Sequence, residues 1–387
     1  MKSTLLIIIL LISALVPSLG QAGDELAFSV DAEGETGFYI WSAATGKTRH
    51  LAEGYKVSGL CFSPDGKRIA FMAAHPAKDF LHLELYVLDL TSSTIKQVTT
   101  GFWSADADIT WRPRTEQVAI NRTMYYKDPD AYVPGDAGLW LINTRSGQTT
   151  QIIASSDSEL PLNRAPVFSA AGSMLASRRC GRYAAVLDVR NPGKWYRLDQ
   201  PEDMNPYWLR DWCWQGDNLL IGATAASGLP FQKGEKGRGG IWRWRVREKP
   251  AFTSPRLNWY EHVSQKQTRA ELVFRKGETV YSLALSPDGR KLAYLMDSGL
   301  WLYDFEKNTQ RQLASANDIF EIKKLRESDS GMVCSLADVD WSSSGRYLSL
   351  VVWDHGHVLR VIDVSTGRVI GPLAQGSRVF SAWRPGH

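Results

Sequence analysis

The chain has 387 residues, with 45 Lys and Arg against 41 Asp and Glu, a net charge of +4. That balance excludes a whole-surface nucleic-acid or polyanion binder. Hydrophobic residues at 44% and charged residues at 22% describe an ordinary globular protein, not a disordered or fibrous one.

In chain order, Lys2 precedes an apolar run from Leu5 to Val16, then Pro17 and the small residues Ser18, Gly20 and Ala22. A basic start, a short apolar stretch and a small-residue cleavage region read as a secretory signal. The run is shorter than the roughly 20 residues of a spanning helix, so no stable transmembrane anchor is expected. No Cys follows the cleavage region, and cleavage after Gly20 or after Ala22 both fit. The expected organisation is a signal peptide over residues 1–22 and a single domain over 23–387, placed in the periplasm or secreted.

After the signal, Leu26–Val30, Phe38–Trp41 and Thr48–Leu51 read as three strands, with a turn at Thr45-Gly46. A repeated phrase then begins: an apolar strand ending in an aromatic or Leu, a tight turn, and a second apolar strand. Cys61-Phe62-Ser63-Pro64-Asp65-Gly66 leads into Arg68–Phe71, and Leu285-Ser286-Pro287-Asp288-Gly289 leads into Lys291–Tyr294. Trp341-Ser342-Ser343-Ser344-Gly345 leads into Arg346–Ser349. The closing residues are Phe62, Trp111, Phe168, Trp214, Leu285, Trp341 and Trp383, at intervals of 49, 57, 46, 71, 56 and 42 residues. A four-stranded propeller blade takes about 40–50 residues, so the longer intervals carry insertions. Third strands end in Asp or Asn, as in Leu85–Asp89, Leu139–Asn143, Leu300–Asp304 and Leu359–Asp363, and a polar fourth strand such as Thr309–Leu313 follows.

The seventh phrase, Val379–Pro385, is a lone first strand, and the N-terminal segment supplies the three strands it lacks. The expected fold is therefore all-β: a seven-bladed β-propeller of four-stranded antiparallel blades, the last closed by N- and C-terminal strands. Such closure removes the open sheet edges. In the Ser-Pro-Asp-Gly turns, Pro presets the backbone, Asp caps its own turn and Gly accepts a positive φ, so Asp65 and Asp288 are read as structural.

These phrases resemble the WD-like repeat of the TolB-type β-propellers, in Phe62–Phe71 with Tyr86–Asp89 and in Leu285–Tyr294 with Leu300–Asp304. The resemblance covers most of residues 24–387 as a pattern and is sharp in two or three blades. It implies a Gram-negative periplasmic propeller used for protein interaction. TolB carries a separate domain before its propeller, whereas here the repeat begins almost at once, so no role in that protein's envelope complex carries over.

First-to-second and third-to-fourth turns read as short. The long segments, Ala74–Leu83, Met124–Asp136, Ala225–Gly239, Pro250–Arg269 and Ser315–Met332, are assigned to second-to-third or blade-to-blade connections. Both emerge on one face of an up-and-down blade, so that face is expected to bind the partner. Tyr125, Tyr126 and Tyr132 surround a Pro-stiffened turn and are candidate interface anchors. Lys233, Lys236 and Arg238 lie in a basic, Gly-rich loop that matches no phosphate-binding motif. The expected partner is a protein of the cell envelope, and a glycan is the alternative.

For an enzyme, the candidates are His75, His82, His355 and His357, on equivalent loops of blades separated only by the closing blade. Together they suggest a metal-dependent polysaccharide-cleaving or carbohydrate-binding propeller as the alternative reading. No Gly-x-Ser-x-Gly elbow is present, and Asp106 with Asp108, or Asp128 with Asp130, lack a full calcium ligand series. No catalytic residue and no cofactor is assigned. The fifteen tryptophans are read mainly as inter-sheet packing. The four cysteines are read as thiols, with Cys180 and Cys213 held as a candidate disulfide.

Overall fold

The computed structural model describes residues 23–32, 35–74, 82–101, 106–123, 125–128, 131–134, 138–154, 166–179, 183–191, 195–197, 209–224, 240–246, 269–275, 280–319, 338–353 and 356–386. The expected signal segment, residues 1–22, lies outside them.

The chain enters the fold through β1 (Glu25–Ala32), β2 (Glu35–Ser42) and β3 (Thr48–Glu53). Blade I follows as β4 (Lys56–Phe62), β5 (Arg68–Ala74), β6 (Glu84–Asp89) and β7 (Thr94–Gln97). Blade II is β8 (Asp106–Trp111), β9 (Gln117–Thr123), β12 (Gly138–Asn143) and β13 (Thr149–Ala154). A separate hairpin, β10 (Tyr125–Asp128) and β11 (Ala131–Pro134), is inserted between its second and third strands. Blade III is β14 (Val167–Phe168), β15 (Met174–Arg179), β16 (Tyr183–Asp188) and β17 (Trp195–Arg197). Blade IV is β18 (Leu209–Gln215), β19 (Leu219–Thr224), β20 (Gly240–Arg245) and β21 (Arg269–Arg275). Blade V is β22 (Val280–Leu285), β23 (Lys291–Met296), β24 (Gly299–Asp304) and β25 (Thr309–Ser315), followed by a single helical turn, α1 (Ala316–Ile319). Blade VI is β26 (Asp338–Trp341), β27 (Tyr347–Trp353), β28 (His357–Asp363) and β29 (Val369–Gly376). The last strand, β30 (Arg378–Trp383), pairs antiparallel with β1, Leu26 opposite Trp383 and Val30 opposite Val379.

Seven four-stranded antiparallel sheets result, the seventh running β30-β1-β2-β3. Their first strands touch in sequence, β30 to β4, β8, β14, β18, β22, β26 and back to β30, so the ring is closed around a central channel. Six of the seven closing residues of the repeated phrase end one of these inner strands, and Trp214 is the penultimate residue of β18. The fourth strands are the outer edges, and β25 is exposed along Thr309–Arg311.

Local chemistry explains the repeat. Ser63 Oγ donates to Asp65 Oδ1 (2.5 Å) and accepts from the Arg68 amide (2.9 Å), while Asp65 Oδ1 also accepts from the Lys67 amide (3.1 Å). Ser286, Asp288, Arg290 and Lys291 repeat this arrangement in blade V. Asp65 and Asp288 are thus turn residues, and these bonds hold both carboxyls below their ordinary range despite the opposing effect of burial. The Asp or Asn ending the third strands of blades I, II and V has an equally local task. Asp89 accepts from the amides of Thr91 and Ser92, Asn143 from Arg145 and Ser146, and Asp304 from Glu306 and Lys307. Each side chain satisfies turn amides that no sheet partner can reach.

The core lies between blades. Trp41, Trp111, Trp212, Trp214, Trp242, Trp244, Trp341 and Trp383 are all buried, in agreement with the packing role read from the sequence. Three of them clasp the preceding blade. Trp214 Nε1 donates to the Val167 carbonyl (2.9 Å), Trp341 Nε1 to Ala284 (2.9 Å) and Trp383 Nε1 to Asp340 (3.2 Å). In each case the acceptor is the residue just before the preceding blade's own closing residue. On the same rim Arg68 forms a forked pair with Glu116 (2.7 and 3.0 Å), joining blades I and II.

Two expectations are corrected. β21 pairs with β20 as the outer strand of blade IV, so residues 246–268 join a third strand to a fourth. The strand ends flanking Pro250–Arg269 therefore open on the face of the Ser-Pro-Asp-Gly turns, so the expected third-to-fourth connection is not short in blade IV. The disulfide candidate also fails, because Cys213 is a free thiol. It engages the Leu285 amide of blade V, and Cys180 lies outside the described residues. Cys61 is likewise free, facing the Trp111 amide of blade II, and burial pushes both thiols above their ordinary pKa.

Candidate functional site

Strand direction sets what can meet on each face. Inner strands begin, and second strands end, at the same end of the ring, so second-to-third and blade-to-blade connections share one face. The chain leaves β5, β9, β19 and β25 there. The β10–β11 hairpin rises from this face, Tyr125 opposite Pro134, Tyr126 opposite Val133 and Lys127 opposite Tyr132. The three candidate tyrosines are thus gathered on one short two-stranded platform. Lys233, Lys236 and Arg238 lie outside the described residues, between β19 and β20, whose flanking ends open on the same face.

Of the candidate histidines, His75 and His355 lie outside the described residues. His82 precedes β6 of blade I and His357 opens β28 of blade VI, both on this face. His357 Nδ1 lies 2.8 Å from the Ser377 carbonyl, which requires that nitrogen to carry the proton and donate. Ser377 continues the link, its amide donating to the Asp31 carbonyl of the closing blade (2.7 Å). Burial holds the His357 pKa below its ordinary value despite this bond. His357 therefore joins blade VI to the closing blade. Among the described residues no three His, Cys, Asp or Glu side chains gather in metal-ligating positions.

The repeat pattern hid several carboxylates that shape this face. Glu84, 3% exposed, accepts from Thr99 Oγ1 (2.6 Å) and the Gly101 amide (2.6 Å), pinning the connection from blade I to blade II. In the channel wall, Asp108, Asp211 and Asp338 each stand three residues before the closing tryptophan of blades II, IV and VI. That spacing is a signal the sequence carried. Asp211 Oδ2 accepts from Ser282 Oγ (2.7 Å) and the Leu283 amide (3.0 Å) of blade V. Ser282 Oγ accepts in turn from the Val339 amide of blade VI (3.2 Å), so one carboxylate organises three consecutive inner strands.

Asp340 accepts from the Trp341 amide (2.8 Å). Its surface is open to channel solvent, yet protein walls surround it, and this desolvation raises its pKa to about 6. Backbone bonds from Trp341 and Trp383 oppose the rise, and Asp211 adds to it.

No protein-family model matches the sequence, and no curated protein matches it either. Solved structures do match in shape. A puromycin-hydrolysing peptidase from Mycobacterium tuberculosis shares 15% identity at a TM-score of 0.58, over 91% of this chain and 52% of that one. The chain thus spans about half the peptidase's length. An oligogalacturonate lyase in complex with manganese shares 15% identity at a TM-score of 0.50, over 91% of this chain and 86% of the lyase. TolB from Acinetobacter baumannii shares 13% identity at a TM-score of 0.49, over 95% of this chain and 68% of TolB. At these identities the likeness concerns the β-propeller fold alone.

Proposed function

We propose that this chain is an exported, periplasmic β-propeller that holds a protein partner of the cell envelope on its long-connection face. The observation that carries this reading is the β10–β11 hairpin. A blade closes with four strands, so the hairpin adds nothing to blade II and places three tyrosines on one two-stranded element. Tyrosine supplies large contact area at low entropic cost, which suits an interface. The apolar run at Leu5–Val16 supports export. Among the described residues no helix is long and apolar enough to cross a membrane.

The test replaces residues 124–137 with a short turn and recovers partners by crosslinking in intact cells. The reading predicts that the shortened protein stays folded and loses its partner. An unchanged set of crosslinked partners would contradict it.

A second reading, a carbohydrate-binding propeller, draws on His82 and His357 opening on the same face as the tyrosine hairpin. Binding on a glycan panel that disappears with Tyr126→Ala would favour it.

A further inference from the structure

Arg360 sits at the middle of β28. Leu359 and Val361 on either side of it pack toward the closing blade, while Val358 and Ile362 pack toward blade V. The period of two in a strand therefore turns Arg360 toward blade V. There it meets an apolar cluster that includes Leu302, Leu313, Ile319, Leu350 and Val352. Arg360 is 9% exposed, and its Nη1 is buried with no hydrogen-bond partner. Among the described residues it forms no ion pair.

A guanidinium cannot shed its proton to escape this situation. A buried, unpaired charge is among the most expensive features a fold can carry. The backbone beside it is also exceptional. Between the pairs Leu359–Ala374 and Val361–Ile370, the outer strand carries Gly371, Pro372 and Leu373 against Arg360 alone. A Cβ at Gly371 would come within 3.7 Å of the Arg360 Cα and 2.7 Å of the Leu373 amide. This bulge crosses directly over Arg360, and bulges commonly re-aim a side chain beside a site.

We propose that Arg360, in the interface between blades V and VI, is the cation of a binding site for an aliphatic monocarboxylate. A carboxylate matches the planar fork of a guanidinium with two parallel hydrogen bonds. The apolar surroundings suit a ligand with one charge and a hydrocarbon body. A dianion such as phosphate would bring a second charge into apolar surroundings beside a single cation. This site is independent of the partner face proposed above.

The experiment titrates hexanoate, octanoate, octanol and inorganic phosphate into the mature protein by calorimetry, with a thermal scan at the highest concentration. Octanoate is expected to bind and to raise Tm by about 3 °C or more. Affinity should tighten about threefold to fourfold per added methylene from hexanoate. Octanol and phosphate should leave Tm unchanged. Arg360→Met, which keeps the volume and removes the charge, should be folded and silent to octanoate. No octanoate binding to the wild-type protein would overturn the proposal whatever the variant does, as would equal binding of octanol or an undiminished response in Arg360→Met. None of these results depends on the partner face.

Discussion

The indole N–H of Trp383 donates to the carbonyl oxygen of Asp340 at 3.2 Å, and this bond ties the last strand of the chain to the sixth blade. The same relationship joins Trp341 to Ala284 and Trp214 to Val167. A residue that marks the repeat in the sequence is therefore also the clasp between neighbouring blades. At Trp383 the clasp has an added duty, because β30 is the strand on which ring closure depends.

Trp383→Phe should destabilise the fold by about 2 kcal/mol, the sum of one lost hydrogen bond and a small cavity. Urea unfolding measures this directly. A loss under about 0.5 kcal/mol would show that the indole N–H is not a clasp.

The turn glycines separate two costs. Gly216 has a φ of +67°, and a Cβ there would meet nothing within 4 Å. Gly172 has a φ of +68°, but its Cβ would meet Pro113 Cδ and Pro113 O of the preceding blade at 3.2 Å. Gly216→Ala should cost about 1 kcal/mol from the left-handed backbone alone. Gly172→Ala should cost about 1 kcal/mol more, because a proline ring and a carbonyl yield poorly. Equal losses would remove the inter-blade contact from the account.

Asp340 makes stability depend on pH in a defined direction. Its folded pKa, about 6, lies above the ordinary value of 3.8, so the folded state holds this proton more tightly than the unfolded chain. The associated stabilisation is complete below about pH 3.8 and is lost as pH rises through about 6. Asp340→Asn should therefore stabilise the protein at pH 8, by about 1 kcal/mol after screening by channel water. The advantage should shrink toward pH 4. Thermal scans of both proteins across this range check the sign, and an advantage that grows on acidification would refute it.

The ring was legible because its determinants are local. Phe62, Trp111, Phe168, Trp214, Leu285, Trp341 and Trp383 all lie at or within one residue of the end of an inner strand, and the split closing blade follows from Val379–Pro385 and Leu26–Leu51. Tertiary pairing was less legible. Nothing near Arg269–Arg275 tells an outer strand from the start of a new blade, so the preceding segment was assigned to the wrong face. The β10–β11 hairpin was hidden because its Pro and Asp content reads as loop. The links from Asp211 to Ser282 and from His357 to Ser377 depend on residues far apart in sequence, which no local pattern announces. Asp108, Asp211 and Asp338 did share a readable position before the closing tryptophans.

The most direct test of the partner face compares its two sides in one experiment. A photo-crosslinking amino acid is placed at Tyr126 or Tyr132 on the hairpin, and at Lys67 or Arg290 beside the short turns of the opposite face. The mature protein is then irradiated in the periplasm of living cells. The account predicts a discrete crosslinked partner from Tyr126 and Tyr132 and none from Lys67 or Arg290. Crosslinks confined to Lys67 and Arg290 would contradict it and move the partner to the short-turn face.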